Sequence, residues 1–405
     1  MIVGKRLAWL LTLIYFTSYV TRINFAAIVQ AVITDTGYEK ASLSIILVGL
    51  SITYGLGQII NGRLGDVFKP VNMIFCGLSV ATVVNLLFPF ASSSIVFMAV
   101  LWAINGFAQA MMWPPIVKIL VSSSDEKMYS YSVIRVSWGS SFGTILVYLT
   151  APLIISLLGW KAVMYASAIL GAAVSVFWFI IKGRIGVSSE AVEQISESTV
   201  EQKKFKLPSV AILPLAFIAL AIIFQGMLRD GVTSWMPTYL KEVFGYADEI
   251  SILCTLSLAV FSIFAFTVIG EIYKRLFKNE VACAAVIFGI AVVGCVVMFV
   301  LYNLSGAVFT IFMLALITGL MHGVNLMLIS YVPKRFKKYG NISTISGAVN
   351  SCTYIGSAIF TYAIAVLSEK IGWQNTVGVW AVIAALGTTC CLIAVPLWKR
   401  FINKD

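Results

Sequence analysis

Apolar runs long enough to cross a bilayer alternate with short polar breaks along the whole chain. Runs of about 20 residues or more cover 7–33, 42–65, 71–90, 95–122, 129–157 and 160–183, then 209–245, 250–272, 280–302, 306–331, 343–368 and 373–398. At about 1.5 Å per residue each can span a hydrocarbon core about 30 Å thick. The pattern predicts an all-α membrane protein with twelve transmembrane helices. A polar stretch divides them six and six. Residues 184–208 carry Glu190, Glu193, Glu197 and Glu201, then Lys203, Lys204 and Lys206, and read as a solvated cytoplasmic tether between two bundles, 1–183 and 209–405. The first run opens with Lys5 and Arg6 as a secretion signal would. Its apolar pattern, however, continues past Arg22 to Val32 with no clear small-residue cleavage site, so a retained first helix is expected.

The two sets repeat. Arg22 and Arg229, Gly62 and Gly270, and the pairs Gly159-Trp160 and Gly372-Trp373 recur at an offset of roughly 210 residues. Two parallel six-helix repeats imply a pseudo-two-fold axis along the membrane normal, with a ligand expected at the bilayer midplane between the halves.

Composition agrees with the pattern: 60% of residues are hydrophobic and 11% charged, against about 25% charged in a soluble domain, and the mean hydropathy is +0.97. A net charge of +11 could suggest a nucleic-acid partner. Most of the Lys and Arg residues nevertheless fall in the loops and ends on one side of the helix alternation. The positive-inside bias makes that side the cytoplasm, with both termini there, and no nucleic acid is needed to explain the basicity. A bacterial plasma membrane is the expected location. The seven cysteines lie within apolar runs without C-x-x-C or Cys/His spacing, and read as small packing residues, not metal ligands or disulfides. Nothing resembles a catalytic triad, metal cluster or phosphate loop, so neither an enzyme nor a cofactor is expected.

The informative charges are inside helices. An arginine at the centre of a membrane helix costs about 2.5–3.5 kcal/mol even on the lenient insertion scale. Arg22 and Arg229 lie at similar depths in the pseudo-equivalent first and seventh helices. If they face a shared cavity about 10 Å apart, at an effective dielectric of about 20, they repel by about 1.7 kcal/mol. An anion bridging them would remove that repulsion and accept bidentate hydrogen bonds, and phosphate suits the guanidinium fork. The alternative is internal pairing, as Arg229 could do with Asp230. Asp230 is itself ambiguous, since it stands about 100° round the helix from Arg229. Arg135 either snorkels to the cytoplasmic interface or supplies a third positive contact. His322, the one histidine, and Tyr354, Gln58 and Tyr54 are either packed hydrogen-bonding groups or cavity ligands. Trp113-Pro114-Pro115 is expected to kink the fourth helix.

Several motifs carry a family resemblance. Gly62-Arg63-Leu64-Gly65-Asp66, followed by Lys69-Pro70, resembles the G-x-x-x-D signature of the major facilitator superfamily, which implies a gating role for Gly62 and Asp66. In the second copy Lys274 stands where the acid belongs. YVTRINFAA at 19–27, GFAQAMMWPP at 106–115 and LRDGVTSWMPTYLKEV at 228–243 resemble motifs of its organophosphate:phosphate antiporters, with the glycerol-3-phosphate branch nearest. The resemblance covers all twelve helices. It implies a monomeric secondary transporter that exchanges an organic phosphate for inorganic phosphate by rocker-switch alternating access. Arg22 and Arg229 match the family's phosphate-binding pair, and Tyr354 and His322 fall at or near pocket tyrosines. Departures occur at Gln58, where the family has lysine, at Trp138, where it has histidine, at Arg135, where it has a polar residue, and at Ser234, where it has an acid for which Asp230 is the candidate substitute. The phosphate end is kept and the rest of the pocket rewritten. A proton-coupled organic-anion symporter is the rival reading. Related symporters carry an Asp before the first-helix arginine, where this chain has Thr21, which leaves Asp230 and His322 as titrating candidates. A receptor that binds the anion without transporting it is a third.

Overall fold

A computed structural model describes residues 2–185 and 207–404; residues 186–206, with the acidic and basic runs of the expected tether, lie outside the described residues. In the first half α1 (Gly4–Thr36), α2 (Lys40–Val67) and α3 (Pro70–Leu87) are followed by α4 (Ile95–Gln109) and α5 (Trp113–Ser123), which together form one span, then by α6 (Glu126–Leu158) and α7 (Trp160–Ile181). In the second half come α8 (Ser209–Phe244), α9 (Asp248–Cys254) and α10 (Leu256–Leu276), then α11 (Glu280–Val300) and α12 (Ala307–Asn325). Ile342–Lys404 is two helices, α13 (342–371) and α14 (373–404), joined at Gly372 with φ 76° and ψ 166°. With α4–α5 and α9–α10 each taken as one span, the described residues form the twelve expected crossings. A bilayer core offers no water to backbone N–H and C=O groups, so helices that satisfy them internally are the stable outcome for such sequences. Outward-facing apolar side chains along the helices, such as Ile169 at 71% and Val293 at 62% exposure, suit contact with lipid.

Three spans are interrupted. The fourth breaks over 110–112, just before Trp113-Pro114-Pro115, because proline fits the first turn of a helix but not its interior. This is the expected kink. The eighth breaks at Thr255, which the apolar run did not foreshadow. The tenth passes from α12 into a π-helical turn, Leu326–Tyr331, shortly before Pro333.

The described residues form two compact units. One holds 2–185 together with Phe336–Ser351, and the other holds 207–335 and the chain from Cys352. In the first unit Phe25, Phe88 and Trp102 form a buried aromatic knot, with centroids 5.0–5.3 Å apart.

Local geometry repeats between the two halves. Gly159 (φ 79°, ψ 168°) and Gly372 adopt the same positive-φ conformation before a helix that opens with tryptophan, a conformation costly for any residue with a Cβ. Trp160 Nε1 donates to Asp35 Oδ2 at 2.8 Å, and Trp373 Nε1 donates to Glu242 Oε2 at 2.7 Å. A Cβ at Gly143 would meet the Phe16 carbonyl, and one at Gly356 would meet the Ile223 carbonyl, so equivalent helix pairs cross at backbone contact.

Candidate functional site

In the first unit Arg22 rests on aromatic faces. Its guanidinium carbon is 4.0 Å from the Tyr19 ring centre and 4.9 Å from that of Tyr54. Such cation–π contacts stabilise a cation away from water by about 2 kcal/mol or more. One turn from Tyr54 on α2, Gln58 is fully buried, and neither its amide nitrogen nor its oxygen has a hydrogen-bond partner among the described residues. A buried amide in that condition suits a ligand or ordered water.

Behind Arg22 lies a polar network that the sequence reading did not anticipate. The Asn85 and Asn105 amides both donate to the Thr21 carbonyl, at 2.9 and 3.0 Å. Asn24 Nδ2 donates to Asn85 Oδ1 at 2.6 Å. Gln109 Nε2 donates to the Thr21 hydroxyl at 3.0 Å, while its Oε1 accepts from the Ser18 hydroxyl at 2.5 Å. The network clamps α1 to α3 and α4 next to Arg22 and fixes where the guanidinium starts. The signal was available in three Asn and one Gln set within apolar helices.

In the second unit Arg229 has an internal partner. Its Nε and Nη2 donate to Asp230 Oδ1 and Oδ2 at 2.6 and 3.0 Å. Of the two arrangements left open by the sequence, internal pairing is the one observed for Arg229. His322, on the neighbouring α12, lies within electrostatic reach of both and packs edge-on against Phe266, centroids 5.3 Å apart. One turn before Arg229, Gln225 Nε2 donates to the Met321 carbonyl at 3.1 Å and its Oε1 accepts from Thr353 at 3.4 Å. This second amide bridge, also not foreseen, joins α8 to α12 and α13 and sets Arg229 against Tyr354's helix. Further along, Trp235 Nε1 donates to the Thr361 carbonyl at 2.8 Å.

Arg135 and Trp138 belong elsewhere. Gly139 and Gly143 of α6 pack on the backbone of Thr12–Phe16 and Phe16–Val20 of α1, so the two helices run in the same direction. That register sets Arg135 level with the first turns of α1, roughly 18 Å along the axis from Arg22 at about 1.5 Å per residue. There its guanidinium carbon is 3.9 Å from the Tyr131 ring centre and 4.9 Å from that of Trp138, and Trp138 in turn meets Trp9 at 6.4 Å. The α1–α6 register thus places Arg135 and Trp138 in one group and Arg22 in another.

Asp66 and Gly62 form a third. The Asp66 carboxylate accepts from the Ser343 and Thr344 backbone N–H groups at 3.0 and 2.8 Å, capping the start of α13. Lys118 Nζ lies 3.7 Å from that carboxylate and donates to the Gly65 carbonyl at 2.8 Å. Gly62 lets α13 approach closely, since a Cβ there would stand 2.8 Å from the Ser343 carbonyl and 3.1 Å from Gly347 Cα. In the other unit Lys274 pairs with Glu271 instead, at 2.8 Å. A different acid, the fully buried Glu280, accepts from Arg335 Nε and Nη2, each at 3.1 Å, from Trp398 Nε1 at 3.0 Å and from the Tyr273 hydroxyl at 3.3 Å.

Comparison with known proteins places the chain in a family. The glycerol-3-phosphate transporter of Bacillus subtilis (strain 168) is 28% identical over 386 residues, covering 89% of this chain and 85% of that protein. A probable hexose phosphate transport protein of Chlamydia pneumoniae is 23% identical, covering 95% and 89% respectively. Among solved structures, the human organic anion transporter MFSD10 (TETRAN) superposes with a TM-score of 0.76 over 96% of this chain and 99% of that one; at 14% identity the likeness is one of fold. The family model of the Major Facilitator Superfamily matches residues 11–361, so this multi-pass membrane chain belongs to the Major Facilitator Superfamily and is a transporter, not an enzyme.

Proposed function

We propose that the protein carries an organic phosphate across the membrane in exchange for inorganic phosphate by rocker-switch alternating access. Arg22 and Arg229 act as the ligands of the phosphoryl group. The observation that carries the proposal is the pair of intramembrane arginines at matching positions of the two repeats, Arg22 set on the rings of Tyr19 and Tyr54 and Arg229 beside Asp230 and His322. Support also comes from relatives named as glycerol-3-phosphate and hexose phosphate transporters. Gln58, Tyr54, His322 and Tyr354 contact the remainder of the substrate. The departure at Gln58 points to an organic part other than glycerol. The cap that Asp66 places on α13, with Gly62 at the crossing, serves as a gate that must release during the cycle. The protein works as a monomer in a bacterial plasma membrane.

The second reading, proton-coupled symport of an organic anion, is favoured by one feature: a carboxylate, Asp230, at the arginine itself, with His322 in reach. Proteoliposomes preloaded with labelled phosphate separate the two. Efflux driven by an external phosphate ester, and lost in Arg22→Lys and in Arg229→Lys, is expected for the antiporter, because lysine cannot reproduce the bidentate fork. Absence of phosphate exchange together with carboxylate uptake driven by an imposed pH gradient into anion-free vesicles would replace it with the symporter.

A further inference from the structure

We propose that Asp230 is a tethered competitor for the transported anion: its carboxylate holds Arg229 when the site is empty and must leave for a phosphoryl group to bind. The inference rests on the function proposed above.

Adjacent residues of a helix do not face one another. Arg229 and Asp230 meet only because both side chains bend to it, and they do so in the geometry that a bound phosphate would use. Two charge-assisted hydrogen bonds run from Nε and Nη2 to the two carboxylate oxygens, at 2.6 and 3.0 Å. That edge of the guanidinium is a fork that recognises carboxylate or phosphate in bidentate fashion. The pair is shielded, with side-chain exposures of 14% for Arg229 and 26% for Asp230. A second anion on the same guanidinium would therefore meet a like charge at close range in a poorly screened setting.

The carboxylate also has partners besides Arg229. Ser357 on α13 lies within hydrogen-bonding reach of Asp230, and His322 on α12 is close enough to interact with it electrostatically. Both are polar partners on helices other than its own, so displacement from Arg229 need not strand a bare charge. Arg22 is flanked in sequence by Thr21 and Ile23, so an acid adjacent in sequence to the arginine is particular to the second repeat.

Two consequences follow. Affinity is lowered by the fraction of time that Asp230 occupies the fork, as for any site that must first be vacated. An empty carrier also carries its own substitute anion at Arg229, so the charge that would hinder its return is partly neutralised. Asp230 would thus permit slow net movement beside exchange.

The test is equilibrium binding of labelled inorganic phosphate and glycerol 3-phosphate to the full-length protein in detergent, for wild type, Asp230→Asn and Asp230→Glu. Removing the charge while keeping the shape is expected to tighten phosphate binding about ten-fold, the value for a fork occupied about nine-tenths of the time. A merely damaged site would bind more weakly. Asp230→Glu, which keeps the charge, is expected to return affinity toward wild type, and this controls for misfolding. In proteoliposomes Asp230→Asn should lower the ratio of net phosphate efflux to phosphate:phosphate exchange. Equal phosphate affinity and an equal efflux ratio in wild type and Asp230→Asn, with exchange intact, would overturn the role of Asp230 alone. Absence of binding of either phosphate compound to all three proteins would overturn it together with the function on which it rests.

Discussion

At the scale of single residues, the energetics turn on polar groups that the membrane cannot solvate. Glu280 is the clearest case: fully buried, it depends on Arg335, Trp398 and Tyr273. The Arg335 side chain is 32% exposed and keeps a route to water. The two halves of this pair should therefore respond unequally. Arg335→Met, which strands the buried carboxylate, is expected to destabilise the protein by about 3–5 kcal/mol. Glu280→Gln, which leaves an arginine that water can reach, should cost about 1–3 kcal/mol. Thermal unfolding midpoints in detergent rank the two, and a larger loss for Glu280→Gln would refute the argument. The same logic explains what was legible at this scale. Charges inside apolar runs announced Arg22, Arg229 and Asp230. Neutral amides such as Asn85, Asn105, Gln109 and Gln225 cost less to insert and stand out less. Their pairing across separations of 61 to 128 residues exists only once the helices have packed.

At the scale of helices, extents followed from hydrophobic length, and crossings did not. The kink before Trp113-Pro114-Pro115 was readable because proline acts through its own backbone. The crossing of α2 and α13 was not, because it depends on two glycines far apart in sequence meeting face to face. A Cβ on Gly347 would collide with the Gln58 carbonyl and stand 2.9 Å from Gly62 Cα, so neither helix can yield by a rotamer change alone. Gly347→Ala should therefore loosen this crossing. With the native cysteines replaced and Ser346→Cys, a position fully buried in the wild type, thiol labelling is expected to speed up about ten-fold, equivalent to about 1.4 kcal/mol in the open–closed equilibrium. Unchanged labelling would show that the close approach does not hold the helices together.

At the scale of the whole molecule, the duplicated architecture sets the placement of charge. The basic loops fall on one side of the helix alternation, so both termini are expected in the cytoplasm. A fluorescent protein fused after Asp405 should fold and fluoresce, while an alkaline phosphatase fused there should be inactive; the reverse pair of results would invert the topology. The sequence by itself determined the all-helical fold and the number of crossings, because both are one-dimensional consequences of bilayer thickness and of what lipid will not solvate. Only the tertiary structure decided which charges have partners. Arg229 closes on its own neighbour because two side chains can bend to meet. Arg135 stands apart from Arg22 because Gly139 and Gly143 fix the α1–α6 register. Glu280 pairs with Arg335, 55 residues away in sequence, because the helix ends converge there. Contacts of this kind are set by packing in three dimensions, which a linear pattern of apolar and polar residues constrains without specifying.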